Sequence, residues 1–478
     1  MNSEHTAFPA PANPDAPSMA PAARGIARLA GIIGRDLADH PRAADFAEGF
    51  AKLAADNPMT LAWFERVAQA LSPVAAARFV DSFVKGTVLE SWPLRKRFYD
   101  ENGFGAPFTV VLNPTMRCNL KCTGCYSYRF GRANMEYTLL SRILREVHTM
   151  GTRFITISGG EPLMYPDLFR MAEDFPDMSF LMYTNGTLVD RAVAERIEAA
   201  GNLFPAISVE GFEEETDARR GPGMFDVVLG AMEELRRRGV FFGFSATPTR
   251  KNSDVLCDDA FIDYWISKGA LFGWFFTYIP VGKDPDLNLM ATPLQREALR
   301  RKTRAWARTK PIFVGDFWND GACSGGCLSA SRYCYITVDG WVQPCTFVQF
   351  AAQNIKDHSF IDVWRSPFFE HIRSMQPYCD NLLRPCKIID NPDFLKTAIE
   401  ETGAVPTCEG AGDILTSPVV REFLDRYSKE WAVLADAAWR SDDYKSGTDV
   451  LVPFLGRRNV FAQYPHLRDA AARRGSSE

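Results

Sequence analysis

The sequence lacks three features that would indicate a nucleic-acid-binding, membrane-spanning or exported protein. Its 54 Lys and Arg residues are outnumbered by 59 Asp and Glu residues, so the formal net charge is −5 and no general positive field attracts nucleic acid. The longest apolar run, residues 270–282, is shorter than the roughly 20 residues that cross a bilayer. The first residues also lack the basic start and apolar stretch of a signal peptide. We therefore expect a cytoplasmic protein without a transmembrane segment.

The cysteines do not have the number or spacing of a disulfide framework. Eleven is an odd count in a chain of this size, which argues against pairing throughout. Three of them lie within residues 118–125, and seven lie between Cys323 and Cys408. In a reducing compartment, groups of this kind usually bind metal.

The pattern of apolar residues divides the chain into five regions. Residues 1–25 are rich in Pro and Ala, which predicts a disordered lead, and residues 26–107 carry apolar positions at helical spacing. Residues 108–316 alternate six strand-like runs with helical segments. Residues 317–412 are irregular and cysteine-rich, and residues 413–478 read as helix followed by loop.

The alternation in residues 108–316 predicts an α/β fold with a parallel sheet covered by helices. Polar or glycine-containing segments end the second, third and fourth strands: SGGEP at 158–162, TNG at 184–186 and SVEG at 208–211. Because parallel strands end at one edge of the sheet, we expect these segments to meet there and build the active site.

Cys118, Cys122 and Cys125 follow the first of these strands. Three thiolates on one loop suit a cluster of four irons and sulfide, which leaves one iron open for a chelating small molecule. A zinc knuckle or a four-cysteine electron-transfer cluster are the alternatives. Zinc motifs favour a second cysteine pair or histidines nearby, and no further cysteine follows until Cys257.

The C-x3-C-x2-C spacing, followed by an aromatic residue, resembles the signature of radical S-adenosylmethionine (radical SAM) enzymes. The resemblance covers residues 108–309 and implies a partial (βα)6 TIM-like barrel, here with a helical N-terminal extension. It implies a [4Fe–4S] cluster bound by the three cysteines. It also implies S-adenosylmethionine contacts for a set of residues at the strand ends: Tyr126, Gly159, Gly160, Glu161, Pro162, Thr184, Asn185, Ser208 and Glu210.

The activity implied by this resemblance is reductive cleavage of S-adenosylmethionine to a 5′-deoxyadenosyl radical, which takes a hydrogen atom from a substrate. Glu161 would hold the ammonium of the cofactor, and Glu210 would accept from the ribose hydroxyls, where relatives often carry Asp. An electron donor such as flavodoxin or ferredoxin is implied as a partner.

The spacing Cys327-x12-Gly340-x4-Cys345 resembles the opening of the SPASM/twitch-like auxiliary cluster domains of such enzymes. Gly340 allows a tight hairpin between two short strands. We expect one auxiliary cluster held by Cys327, Cys345 and Cys386, since Arg-Pro-Cys at Cys386 resembles Gln-Pro-Cys at Cys345.

The sequence does not decide which residue is the fourth ligand of the auxiliary cluster. Cys323, Cys379 and Cys408 compete for it, or the position is open to substrate. Cys257 and Cys334 are expected in the core, and the free-cysteine alternative is that the whole set behaves as small apolar side chains.

The substrate is not encoded in these motifs. A peptide is one candidate, and a lipid is the alternative, because the sixth strand carries Trp274, Phe275, Phe276 and Tyr278. A non-catalytic electron carrier or redox sensor is the alternative from another class. Two further segments carry polar groups: Asp316 to Gly321 would lie beside the substrate or form a solvated turn, and Arg219-Arg220 would lie on a solvated helix face.

Overall fold

A computed structural model describes residues 40–42, 58–127, 133–281 and 285–441. The predicted disordered lead, the start of the helical region and the loop-like end of the chain lie outside these ranges.

The strands form one mixed sheet and a small second one. In chain order they are β1 Thr109–Thr115, β2 Phe154–Gly159, β3 Ser179–Thr184, β4 Leu203–Val209, β5 Gly243–Ala246, β6 Phe272–Phe275, β7 Phe313–Asp316, β8 Tyr333–Ile336, β9 Val342–Gln343, β10 Phe350–Ala351 and β11 Val405–Pro406. The large sheet has the order β7-β6-β5-β4-β3-β2-β1-β8-β9. All its neighbours are parallel except β8 and β9. β10 and β11 pair antiparallel.

Helices precede, connect and follow the strands. A first group lies before β1: Pro58–Ala70, Pro73–Phe79, the π-helical Val80–Glu90 and Ser91–Asn102. The helices between β1 and β8 are Tyr137–Thr149, Leu168–Asp174, Arg191–Ala200, Glu213–Arg220, Met224–Arg237, Ser253–Leu256, Asp259–Ser267, Pro293–Thr309 and Gly321–Ser324, with a 3-10 turn at Pro162–Met164. The remaining helices are Phe360–Trp364, Pro367–Ser374, Pro392–Thr402, Asp413–Thr416 and Pro418–Ser441.

The six predicted βα units are confirmed as a partial barrel, and two strands extend it. β7 pairs with β6 at one edge, and β8 pairs with β1 at the other. β8 and β9 form the predicted hairpin around Gly340, whose φ of +93° suits glycine. The cysteine-rich region therefore enters the barrel sheet directly, because its first hairpin hydrogen-bonds to β1.

Strand residues alternate between two apolar cores. Phe180 and Met182 belong to the large core beneath the barrel helices, whereas Leu181 between them belongs to a second core shared with the N-terminal helices. This alternation follows from the period of two in a strand. The second core also holds Phe64 and Val67, so the apolar stripe of the N-terminal region packs within the protein.

The N-terminal helices sit where strands β6 and β7 begin. The Trp63 indole donates a hydrogen bond of 2.6 Å to the Leu271 carbonyl, one residue before β6. The Arg66 guanidinium donates to the carbonyls of Ala270 at 3.1 Å and Pro311 at 2.5 Å. These helices therefore cover the N-terminal ends of the strands and leave the C-terminal ends for the site. Within the described ranges, none of the helices has the length and apolar character that crossing a bilayer requires.

Replacement of Trp63 by alanine should destabilise the fold, because its side chain is 6% exposed and fills the core between helices and strands. We expect the free energy of unfolding to fall by about 3–5 kcal/mol, measured by urea denaturation. Leu294→Ala is the control, since Leu294 is 70% exposed. Equal denaturation midpoints for Trp63→Ala and the unmodified protein would show that these helices do not support the barrel.

Candidate active site

The three-cysteine loop begins directly after β1. Cys118, Cys122 and Cys125 are half-buried and form no disulfide. The Cys125 amide donates to the Cys122 carbonyl at 3.2 Å, which turns the loop so that these cysteines approach each other. Burial raises the pKa of Cys118, and the neighbouring Glu161, Cys125 and Cys122 add to the rise. The three thiols therefore lie close enough to interact electrostatically.

The three thiols of the loop are of the ligand type that iron–sulfur clusters take. In the described part of the chain, no three His, Cys, Asp or Glu side chains lie close enough to hold one metal ion. In a [4Fe–4S] cluster each cysteine binds a different iron, so its ligands stand farther apart than the ligands of one zinc ion. Three free thiols on one loop supply three of the four ligands that such a cluster takes.

Gly159 and Gly160 allow the end of β2 to lie against the segment that leads to Cys118. A Cβ on Gly159 would come within 1.9 Å of Asn113 Oδ1, and one on Gly160 within 2.2 Å of the Arg117 carbonyl. The Gly160 amide donates to the Thr115 carbonyl at 2.8 Å. Larger residues at these two positions would push the strand ends apart.

Glu161 ties this segment to the end of β3. Its carboxylate is 1% exposed and accepts from the Thr184 hydroxyl at 2.7 Å, the Asn185 amide at 2.8 Å and the Leu163 amide at 3.1 Å. Burial raises the pKa of Glu161, and these hydrogen bonds oppose the rise. The side chain of Asn185 in turn donates from Nδ2 to Cys118 Sγ at 3.9 Å. The GGEP and TNG segments and the cysteine loop therefore meet, as expected from parallel strand ends.

Glu210, just after β4, is fully buried and paired with two arginines. Arg220 Nε and Nη2 donate to Oε1 at 2.9 and 2.5 Å, and Arg219 Nη1 donates to the same oxygen. The interpretation of Arg219 and Arg220 as a solvated helix face is wrong, because their side chains are 15% and 11% exposed. The signal that was missed is an acidic residue at a strand end, nine and ten positions earlier. Arg220 also lowers the pKa of Cys122, against the larger effect of burial.

The other predicted cofactor contacts surround the same end of the sheet. Tyr126 shares a hydrogen bond of 2.7 Å with the Ser158 hydroxyl at the end of β2. Ser208 of β4 faces Ser245 of β5, with 3.5 Å between their hydroxyl oxygens. Pro162 is buried and starts the 3-10 turn after Glu161.

In the cysteine-rich region, Cys327 interacts electrostatically with both Cys345 and Cys386. Burial raises the pKa of Cys345, with a further rise from Cys327. Burial, Asp390 and Cys327 raise the pKa of Cys386 to about 12. Cys345 Sγ also accepts from the Tyr333 hydroxyl at 2.7 Å.

Two other cysteines have different surroundings. Cys408 donates to Gln349 Oε1 at 3.2 Å and lies near Asp339. Cys334 is fully buried in β8, as the sequence predicted.

A buried ion pair connects the auxiliary cysteines to a barrel helix. Arg296 and Asp390 are joined at 2.6 Å with both side chains at zero exposure, and Asp390 Oδ2 accepts from the Cys386 amide at 2.9 Å. Arg296 Nε also donates to Asn319 Oδ1 at 2.9 Å, and Asn319 donates to Asp316 Oδ2 at 2.6 Å. Asp316 and Asn319 are thus part of a buried network and do not form a solvated turn.

Seven rings, six of them half-buried and Trp318 buried, form a continuous row of contacts from β3 to the cysteine loop. We call the following residues the aromatic wall: Tyr126, Tyr183, Trp274, Phe276, Phe317, Trp318 and Phe347. Ring centroids along it are 5.0 to 6.0 Å apart. The predicted aromatic strand contributes only two of these side chains, Trp274 and Phe276. Phe275 packs into the outer core against Phe244, because neighbouring strand residues point to opposite faces.

Comparisons with known proteins agree with this geometry. A family model of the Radical SAM superfamily matches residues 112–249, and a model of the SPASM iron–sulfur cluster-binding domain matches residues 327–387. Residues 112–249 therefore carry a radical SAM domain and residues 327–387 an additional cluster-binding domain, which indicates an enzyme whose cofactors are S-adenosylmethionine and iron–sulfur clusters.

Among individual relatives, the chain is 27% identical over 316 residues to the AdoMet-dependent heme synthase of Oleidesulfovibrio alaskensis, covering 58% of this chain and 80% of that one. It is 28% identical over 297 residues to the mycofactocin maturase MftC of Mycobacterium tuberculosis, covering 58% and 75%. The structure of SuiB from Streptococcus suis with bound S-adenosylmethionine matches with a TM-score of 0.52 and 19% identity, covering 61% and 74%, and shares the fold.

Replacement of Asp390 by alanine should unfold the cysteine-rich region first, because Arg296 would be left buried without its partner. The expected loss is about 3–5 kcal/mol in the free energy of unfolding, measured by chemical denaturation. Asp393→Ala is the matched control, since Asp393 forms an ion pair at the surface with an 86% exposed side chain. If the two variants were equally stable, the buried pair would not hold the region together.

Proposed function

We propose that Cys118, Cys122 and Cys125 hold the cluster at which this enzyme cleaves S-adenosylmethionine. When bound, the cluster and the cofactor supply a 5′-deoxyadenosyl radical, which abstracts a hydrogen atom from the substrate. The observation that carries the proposal is the meeting of the cysteine loop with Glu161 and Asn185 at the ends of β2 and β3.

The roles of the protein groups are orientation and shielding. The main chain at Gly159 and Gly160 and the buried Glu161 would form the ammonium end of the cofactor site, where negative groups favour a cation. Ser208 and Tyr126 would bound the ribose and adenine side. Tyr126 is held in place by Ser158, so its ring is already oriented before the cofactor binds.

We propose that Cys327, Cys345 and Cys386 hold an auxiliary cluster. The electrostatic effects of Cys327 on the other two and the buried Lys387, which lies near all three, support this. Lys387 keeps a raised pKa despite burial, with Tyr378 and the three thiols as the causes of the rise. A cation at this position would balance the negative charge of a thiolate-bound cluster. Flavodoxin or ferredoxin would supply the electrons.

We infer that the group of the substrate that reacts is apolar. The aromatic wall lies between the cysteine loop and the auxiliary region, and its seven members include no charged side chain. Aromatic rings pack against other flat unsaturated groups in stacked or edge-to-face arrangements. The heme synthase relatives make a tetrapyrrole the first compound to test. A lipid and a peptide, such as the precursor peptide SuiA bound in another structure of SuiB, are the competing substrates.

The catalytic assignment is tested by 5′-deoxyadenosine release. The protein is reconstituted anaerobically with iron and sulfide, given S-adenosylmethionine and a strong reductant, and analysed by chromatography. Cys118→Ala/Cys122→Ala/Cys125→Ala should abolish the release. Cys327→Ala/Cys345→Ala/Cys386→Ala should retain some of it, with a lower iron content, because the cofactor would bind at the other cluster.

Cys257→Ala is the control for cysteine removal, since Cys257 belongs to neither cysteine group and the variant should keep both iron content and release. Undiminished release from the first triple variant would overturn the assignment of the loop.

The substrate inference is tested with the tetrapyrrole Fe-coproporphyrin III as the probe, a compound that the name of another relative, the Fe-coproporphyrin III synthase of Methanosarcina barkeri, includes. We expect it to raise 5′-deoxyadenosine release several-fold, and Phe276→Ala to remove that stimulation while retaining the slow release without substrate. Val433→Ala is the control, as Val433 is 70% exposed on the C-terminal helix. If phospholipid vesicles raised 5′-deoxyadenosine release and the tetrapyrrole did not, a lipid substrate would be favoured. If Phe276→Ala left the stimulation by the tetrapyrrole unchanged, the aromatic wall would be excluded as its binding surface.

A further inference from the structure

We propose that Glu210, Arg219 and Arg220 form a clamp that positions the cysteine loop, in place of the ribose contact expected for Glu210 from the sequence. The inference rests on the proposed function of that loop. Glu210 and Arg220 would act through Arg219, so all three are positioning residues.

Arg219 connects the loop to the helix Glu213–Arg220 by two hydrogen bonds in opposite directions. Its Nε donates to the Thr123 carbonyl at 3.2 Å, and its own carbonyl accepts from the Thr123 amide at 2.9 Å. Thr123 directly follows Cys122 and lies two residues before Cys125. A displacement of Arg219 would therefore move both cysteines.

Glu210 holds Arg219 in place because it is itself immobilised. Its amide donates to the Thr216 hydroxyl at 3.2 Å, and its carbonyl accepts from Asn252 Nδ2 at 2.8 Å. The second carboxylate oxygen accepts from the Thr247 amide at 3.3 Å. Strand ends β4 and β5 thus fix the position of the carboxylate to which the two arginines are bound.

The charges explain why three residues are needed. A fully buried carboxylate is costly unless it is paired and hydrogen-bonded, and Arg220 supplies two donors to it. Arg219 then adds a second guanidinium, so two positive charges meet one negative charge. The surplus positive charge is adjacent to the cysteine loop, where a thiolate-bound cluster would be anionic.

This arrangement commits both carboxylate oxygens of the fully buried Glu210 to protein donors. One oxygen accepts from both arginines, and the other accepts from a main-chain amide. Ser208 lies in β4, two residues before Glu210, and is half-buried. Its hydroxyl is the group of this segment that would contact the ribose.

The test is hydrogen–deuterium exchange of the full-length, cluster-free protein, followed by mass spectrometry of the peptide that covers Cys118 to Tyr126. Arg219→Ala and Glu210→Gln should speed exchange in this peptide about tenfold, since one charge-assisted hydrogen bond of about 1.5 kcal/mol is lost. Arg301→Ala is the control, because Arg301 is 74% exposed in another ion pair on a helix. Exchange in the C-terminal helix Pro418–Ser441, which makes no contact with the clamp in the hydrogen bonds described, should stay unchanged in all variants.

Arg219→Lys is a second variant for this experiment, to be used if Arg219→Ala does not fold because Glu210 loses one of its two arginines. It keeps the charge but has no Nε in the position of the bond to Thr123, so faster loop exchange is again expected, with the thermal midpoint near that of the unmodified protein. Exchange of the loop at the rate of the unmodified protein in Arg219→Lys and Arg219→Ala would overturn the clamp.

A second readout uses the reconstituted enzyme. In Arg219→Lys the electron paramagnetic resonance signal that changes on addition of S-adenosylmethionine should weaken, whereas the auxiliary signal should remain. Full retention of the cofactor-responsive signal would contradict the clamp. The two proposals fail separately: an unmodified protein that releases no 5′-deoxyadenosine contradicts the proposed function, even where the exchange data support the clamp.

Discussion

Two buried carboxylates organise the site, because burial of an unpaired charge would cost several kcal/mol. Glu161 meets this requirement with donors from β3 and its own turn, and Glu210 meets it with two arginines from the following helix. Each pairing also fixes a neighbour of the cysteine loop: Asn185 in one case and Arg219 in the other. The loop therefore lies between two anchored points, and its geometry depends on both.

The opposite end of the barrel is occupied by a different kind of contact. Trp63 and Arg66 from the N-terminal helices bind carbonyls at the start of β6 and β7, and apolar side chains from these helices share a core with the strands. Packing at this end stabilises the strands, and the polar groups of Trp63 and Arg66 there bind main-chain carbonyls. The N-terminal helices therefore stabilise the barrel at the N-terminal ends of the strands, whereas the candidate active site lies at their C-terminal ends.

The auxiliary region is joined to the barrel in three ways. The hairpin β8–β9 extends the sheet beside β1, the Arg296–Asp390 pair connects a barrel helix to the loop of Cys386, and the aromatic wall continues from Phe317 to Phe347. Because these contacts are buried, the two cysteine groups are held in a set relation to each other. Phe347 lies against Tyr126 of the first group, and its amide donates to Cys345 Sγ of the second at 3.5 Å.

Much of the fold could be predicted from local pattern. Six strand-like runs between helical segments predict parallel βα units, and the Gly340 turn predicts a hairpin, because period and turn chemistry are properties of neighbouring residues. β7 and the attachment of β8 to β1 were not predicted. Four-residue strands carry little periodicity, and the partner of an edge strand depends on the register of the assembled sheet.

The sequence by itself determined the chemistry that is available: three cysteines on one loop, a second cysteine group, and glycines where strand ends meet. Only the tertiary structure decided the partners of the charged residues. Arg219 and Arg220 follow a surface-like sequence pattern, yet they bind Glu210, and Asp390 pairs with Arg296 from 94 residues away. Such pairs are set by burial, which removes water as a competing partner, and burial is a property of the assembled fold that no local spacing records.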